Sequence, residues 1–103
     1  MVIYVDIDDT IADFEVGANK TNYYLARPIP MNIDKINKLY DEGNTIIYYT
    51  ARSSVSVHKR EEYTKLTTDQ LNEWGCKYHD VSVGEKPPYD LLICDKSKRI
   101  EEL

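Results

Sequence analysis

Three short runs of β-branched and aromatic residues, at positions 2–7, 45–49 and 91–94, constrain the fold more than any other feature of the chain. Each is bounded by polar residues and is too short for a helix that packs by itself, so each reads as a buried parallel strand. A weaker run at 78–83 alternates polar with apolar residues and is expected nearer the sheet edge. Between the first two runs, Ile33, Ile36, Leu39 and Tyr40 fall on one helical face, with Asn32 as the expected N-cap and Gly43 as the stop. After the second run, Tyr63, Leu66, Leu71 and Trp74 recur at helical spacing. Thr67 with Gln70 has the form of a capping box, which predicts a split into two helices, closed at Gly75. A short helix is predicted over 96–103 through Ile100 and Leu103. Strands alternating with helices imply right-handed βαβ units, and the expected fold is a three-layer α/β/α Rossmann-like parallel sheet.

No repeat or linker interrupts this alternation, so residues 1–103 are expected to form a single domain. A chain of this length buries about 65% of its unfolded surface, enough for one core. No segment approaches the ~20 apolar residues of a membrane span, and the opening residues lack the basic and apolar regions of a secretory leader. A soluble, cytoplasmic protein without a membrane partner is expected. Cys76 and Cys94 are too few and too widely spaced for a disulfide framework or a zinc site. The net charge of −5 disfavours nucleic acid as a partner, because that binding rests on neutralising phosphates with Lys and Arg.

The binding crevice of such a sheet lies beyond the carboxyl ends of its strands. There the first strand runs into Asp6-Ile7-Asp8-Asp9-Thr10, the second into Thr50-Ala51-Arg52 and the last into Asp95-Lys96, with Lys86 just before the last strand. Carboxylates crowded after one apolar strand repel one another and call for a counter-charge. Oxygen donors of this kind suit magnesium, which takes one or two carboxylates together with waters and phosphate oxygens.

The segments DIDDT, YYTAR, GEKPPYD around Lys86 and LLICDK resemble, in this order, the four motifs of the haloacid dehalogenase superfamily of phosphatases. INKLYDEGNTIIYYTAR and QLNEWG are similar to the small branch of that superfamily associated with capsule and sugar-phosphate metabolism. The resemblance implies a magnesium-dependent phosphatase, a phosphoric monoester hydrolase, acting on a sugar phosphate or a similar small phosphorylated metabolite. It makes Asp6 the nucleophile that forms an aspartyl-phosphate and Asp8 the general acid, then base. Thr50 would bind a phosphate oxygen, and Lys86 would neutralise the phosphoryl group and restrain Asp6. Magnesium would be held by Asp6, the backbone carbonyl of Asp8, and Asp95. Substrate contacts are expected from Thr10, Arg52 and Ser53, with Ser54, His58, Lys59 and Arg60 farther out.

Two positions depart from the family pattern: Asp9 stands where Gly is common, and Cys94-Asp95 replaces a pair of acids, leaving one acid for the metal from that strand. Most relatives carry a cap domain, but residues 11–30 offer about twenty positions, below the ~40 an independent unit needs. An open site is therefore expected, reached by larger substrates or covered by a neighbouring subunit. Tyr23 and Tyr24, in this flap-like segment, are the tyrosines positioned to stack on a substrate, and His79 is expected on a strand surface, outside the chemistry.

Two alternatives differ in substrate or class. A nucleotide or polynucleotide 3′-end phosphatase would use the same catalytic residues. A receiver-like phospho-accepting signalling domain would need its acceptor Asp at the end of the middle strand, whereas the strands that follow the first end in Thr50 and in Val83-Gly84. Counterion release separates the small-metabolite reading from the polynucleotide one: kcat/KM is expected to vary weakly with salt, with Lys59→Ala and Arg60→Ala each costing less than about tenfold. Initial rates across a salt series check this. A steep salt slope with a preference for a 3′-phosphorylated oligonucleotide would reverse the assignment.

Overall fold

The computed structural model describes residues 1–15, 17, 22–50, 60–83 and 91–93. Strand β1 (Val2–Asp6) pairs in parallel with β4 (Thr45–Thr50), from Val2 opposite Thr45 to Asp6 opposite Tyr49. On its other side β1 pairs in parallel with β6 (Leu91–Ile93), Val5 facing Ile93. Strand β5 (Asp80–Val83) joins the outer edge of β4, with Thr50 opposite Val83. A short antiparallel pair, β2 (Ala12–Asp13) with β3 (Arg27–Pro28), lies between β1 and the first helix in sequence.

The main sheet therefore has the order β5-β4-β1-β6. In order of sequence these are the third, second, first and fourth of its strands. The chain builds outward from β1 in one direction and then returns to the other side of β1. This is the order of a Rossmann half, not the second-first-third order of flavodoxin-like folds, and its reversal falls beside the carboxyl end of β1.

Helices α1 (Pro30–Asp41) and α2 (Arg60–Glu73) follow β3 and β4 in the chain. Right-handed crossovers that progress in one direction place their helices on the same face of the sheet. Ile33 and Ile36 of α1 and Leu71 of α2 accordingly share one buried cluster with Ile3, Val5, Ile46 and Tyr48. The alternate positions Val2, Tyr4, Ile47 and Tyr49 form a smaller cluster, separate from it. The fold is thus α/β with a parallel sheet, and one of the two expected helical layers is present among the described residues. The helix expected over 96–103 lies outside them.

Asn32 is not the N-cap. Pro30 occupies the first helical position and Ile29 is the cap residue, without a side-chain cap bond. Proline presets φ for a helix and lacks an N–H that would be unsatisfied there anyway, so the helix starts three residues earlier than expected. Both helices end in the same left-handed motif. Gly43 (φ 98°) and Gly75 (φ 76°) let the Asn44 N–H reach the Leu39 carbonyl (3.3 Å) and the Cys76 N–H the Leu71 carbonyl (3.0 Å).

The predicted break at Thr67 is absent, and α2 runs unbroken to Glu73. Thr67 is fully buried, and the amide of the buried Gln70 donates to the Tyr23 carbonyl at 2.8 Å. A side chain engaged across the fold cannot turn back to cap its own helix, so packing overrides the local signal.

Strand β5 starts two residues later than expected, because His79 meets β4 through its side chain as well as its backbone. The His79 N–H donates to the Ile46 carbonyl (2.8 Å) and the Ile46 N–H to His79 Nδ1 (3.1 Å). The ring stacks on Tyr40 with centroids 4.8 Å apart. These contacts give His79 a structural place beside the sheet, just ahead of the strand.

Tyr48 is fully buried, and its hydroxyl makes no hydrogen bond of good geometry among the described residues. It and the half-buried Cys76 thiol influence one another without the alignment of a hydrogen bond. Burial pushes the Cys76 thiol up from 9.0 to about 11, and burial likewise pushes Tyr48 upward. The folded state favours the neutral thiol, so this contribution to stability is fully present below 9.0 and is lost as pH rises through about 11. In a Cys94→Ser background, Cys76 should react slowly with a thiol reagent at about pH 8 until denaturant is added. The unfolding midpoint should fall more steeply in the alkaline window than in Cys76→Ala. Rapid labelling of the folded protein would contradict the placement of this thiol.

Candidate functional site

The site is organised around Ile7. Its side chain is fully buried in the main cluster. Alternation along β1 puts Asp6 on the face opposite Ile3 and Val5, while Ile7 returns to the core between Asp6 and Asp8. Both are half-buried, and Asp9 is exposed.

Immediately beyond, the chain winds into a single tight turn. The Ile7 carbonyl accepts from the N–H groups of Thr10, Ile11 and Ala12 at 3.2, 3.0 and 3.2 Å, and the Asp9 N–H donates to the Ala12 carbonyl at 2.8 Å. Asp8 bridges to Ala12. The turn forces Asp9 into the left-handed region, at φ 66°, which glycine adopts freely and Asp tolerates better than most residues. This explains physically why Gly suits the position and why Asp can replace it.

The Asp6 carboxylate is oriented locally, its Oδ1 accepting from the Ile7 N–H at 2.9 Å. Thr50 ends β4 on the neighbouring strand, one residue beyond the partner of Asp6, and its side chain is almost wholly buried. Thr10, expected as a substrate contact, is fully enclosed, with no partner for its hydroxyl among the described residues. Its carbonyl accepts from Asn32 Nδ2 at 2.9 Å. Asp6, Asp8, Thr10 and Thr50 therefore gather at the carboxyl ends of β1 and β4. Arg52, Ser53, Lys86 and Asp95 lie outside the described residues, as do Ser54, His58, Lys59 and Cys94.

Tyr23 and Tyr24 fasten the flap to α2. Tyr23 meets Tyr63 edge to face with centroids 5.3 Å apart, and the Tyr24 hydroxyl donates to Glu62 Oε1 at 2.9 Å. That bond to Glu62 raises the pKa of Tyr24. Arg27 and Asp13 form an exposed ion pair across the β2–β3 hairpin at 3.1 Å. Arg60 opens α2 and is half-buried.

Among the described residues no three His, Cys, Asp or Glu side chains gather as a metal group. The donor set expected for magnesium is represented there by Asp6 and the Asp8 carbonyl. Both are hard oxygen donors, the kind this ion takes. A hollow of about 650 Å³ lies along α2, lined by Arg60, Glu61, Thr64, Lys65, Thr68 and Asp69. It shares no lining residue with the Asp6–Asp8 turn, and its lining among the described residues comes from α2 alone.

No model of a known protein family matches the chain, and a search of curated proteins returns no relative. The two features of the turn that the sequence pattern missed are the enclosure of Thr10 and the reach of Asn32. A signal for the second existed in Pro30, which claims the start of the helix and leaves Asn32 inside the first turn.

The left-handed turn makes an ordered stability series. Asp9→Gly should unfold within about 1 kcal/mol of the natural protein, since relieved strain and added unfolded-state entropy oppose each other, whereas Asp9→Val should lose about 1–2 kcal/mol. Urea unfolding measures both, and equal stability of the Val and Gly variants would show that the turn has another geometry.

Proposed function

We propose that the chain is a magnesium-dependent phosphomonoester hydrolase that works through an aspartyl-phosphate on Asp6, with a sugar phosphate or similar small metabolite as substrate. The observation that carries this reading is the place of the two acids. Asp6 closes β1 and Asp8 opens the turn that follows, beside the point where the strand order reverses. The same strand order counts against the receiver-like alternative, whose fold would have the second-first-third order.

In the first displacement one oxygen of the Asp6 carboxylate attacks phosphorus and the bond from phosphorus to the ester oxygen breaks. Asp8 gives its proton to the departing oxygen. In the second, Asp8 takes a proton from the water that attacks the aspartyl-phosphate, releasing inorganic phosphate and restoring Asp6. The Ile7 N–H bond to Oδ1 limits rotation of the nucleophile, a form of preorganisation. Thr50 and Lys86 would bind the phosphoryl oxygens as their charge spreads in the loose transition state. Asp6, the Asp8 carbonyl and Asp95 would hold magnesium, which neutralises phosphoryl charge when bound.

Asp6→Asn should therefore keep its fold by circular dichroism and lose turnover of small phosphomonoesters. A chelator should abolish activity, Asp95→Asn should raise the magnesium requirement, and Lys86→Ala should cost several orders of magnitude in kcat/KM. Turnover by a folded Asp6→Asn protein, or full activity in chelator, would overturn the mechanism.

A further inference from the structure

We propose that Asn32 is a positioning residue for the general acid Asp8, acting through the carbonyl of Thr10; this inference rests on the phosphohydrolase reading above. Asn32 sits in the first turn of α1, where Asn ordinarily bonds its own helix or chain. Here its Nδ2 instead donates across the fold to the Thr10 carbonyl, 22 residues earlier, at 2.9 Å in a half-buried setting. The Ile29 N–H, at the cap of the same helix, donates to the Ile11 carbonyl at 2.8 Å. The catalytic turn is thus held from within by the Ile7 carbonyl and from outside by two consecutive carbonyls tied to the start of α1.

These outer ties govern where Asp8 stands. Ile7 fixes one end of the turn through the core. Asp8 is half-buried beyond the end of β1, and it is followed by Asp9, whose left-handed backbone any loosening would relax. The Thr10 carbonyl, two residues beyond Asp8, is where the turn would swing if the tie to Asn32 were lost. Asp6 lies on β1, hydrogen-bonded into the sheet on both sides, and does not share this dependence. Loss of Asn32 should therefore displace the proton donor more than the nucleophile.

That asymmetry has a chemical readout. An alkyl phosphate needs its leaving oxygen protonated, whereas the phenolate leaving p-nitrophenyl phosphate departs without that help. Because kcat/KM reports the steps up to formation of the aspartyl-phosphate, the ratio of kcat/KM for the two esters isolates the acid step.

The experiment compares Asn32→Asp and Asn32→Leu with the natural protein on an alkyl phosphate and on p-nitrophenyl phosphate, in magnesium, alongside thermal unfolding. Asn32→Asp keeps the side-chain shape without the donor, and a negative charge in the first turn of a helix favours the helix. Asn32→Leu removes the donor without adding charge. In both variants kcat/KM should fall about 10–100-fold on the alkyl ester and less than about threefold on the aryl ester, with thermal stability largely kept in Asn32→Asp. An equal loss on both esters, or no loss on either, would overturn the role of Asn32 while leaving the hydrolase reading intact, provided the natural protein is active and Asp6→Asn is inert. A natural protein inactive on both esters would overturn the hydrolase reading and this inference together.

Discussion

Ile7 belongs to the core and the turn at once, and the arrangement at the end of β1 depends on that double membership. Its side chain is enclosed in the cluster shared with α1 and α2, and its carbonyl gathers three successive N–H groups. A polar residue in its place would free both the strand end and the start of the turn from the core. The burial of one aliphatic side chain, of order 1.5–3 kcal/mol, thereby anchors the backbone between two charged groups that contribute nothing to that burial.

The second organising element is the pairing of the hairpin region with α2. Gln70 and Tyr63 belong to the helix after β4, while Tyr23 belongs to the excursion after β1. Their contacts join two segments that flank the same strand ends from opposite sides in sequence. The tyrosines here hold the fold together through an edge-to-face ring contact and backbone and hydroxyl hydrogen bonds, leaving the planar ring of Tyr23 occupied by Tyr63.

Much of the fold was legible because period and burial agree. The strands of the main sheet fell where β-branched runs are flanked by polar residues, and the faces of both helices followed the spacing of Ile33, Ile36 and Leu71. Misreadings arose where a residue with a familiar local role was recruited by a distant partner. Thr67 and Gln70 carry a capping signature, yet one is sealed in the interior and the other reaches Tyr23. Asn32 carries a cap signature, yet Pro30 claims the helix start and Thr10 takes its amide. For the candidate site, the positions of Asp6 and Thr50 at strand ends, with Asp8 just beyond, were legible. The enclosure of Thr10 was not, because it follows from the winding of the turn around the Ile7 carbonyl, which no spacing pattern encodes.

Pairing of β1 on both of its edges bears on how the molecule breathes. Local opening begins where backbone hydrogen bonds are few or exposed and reaches an interior strand only with cooperative loss of its neighbours. The amides of β1 should therefore be among the slowest to exchange with solvent deuterium, while those of edge strand β5 exchange through smaller fluctuations. The carboxylate at the end of β1 is mounted on the part of the protein slowest to open, whereas the turn that follows it depends on separate ties to the Ile7 carbonyl and to α1.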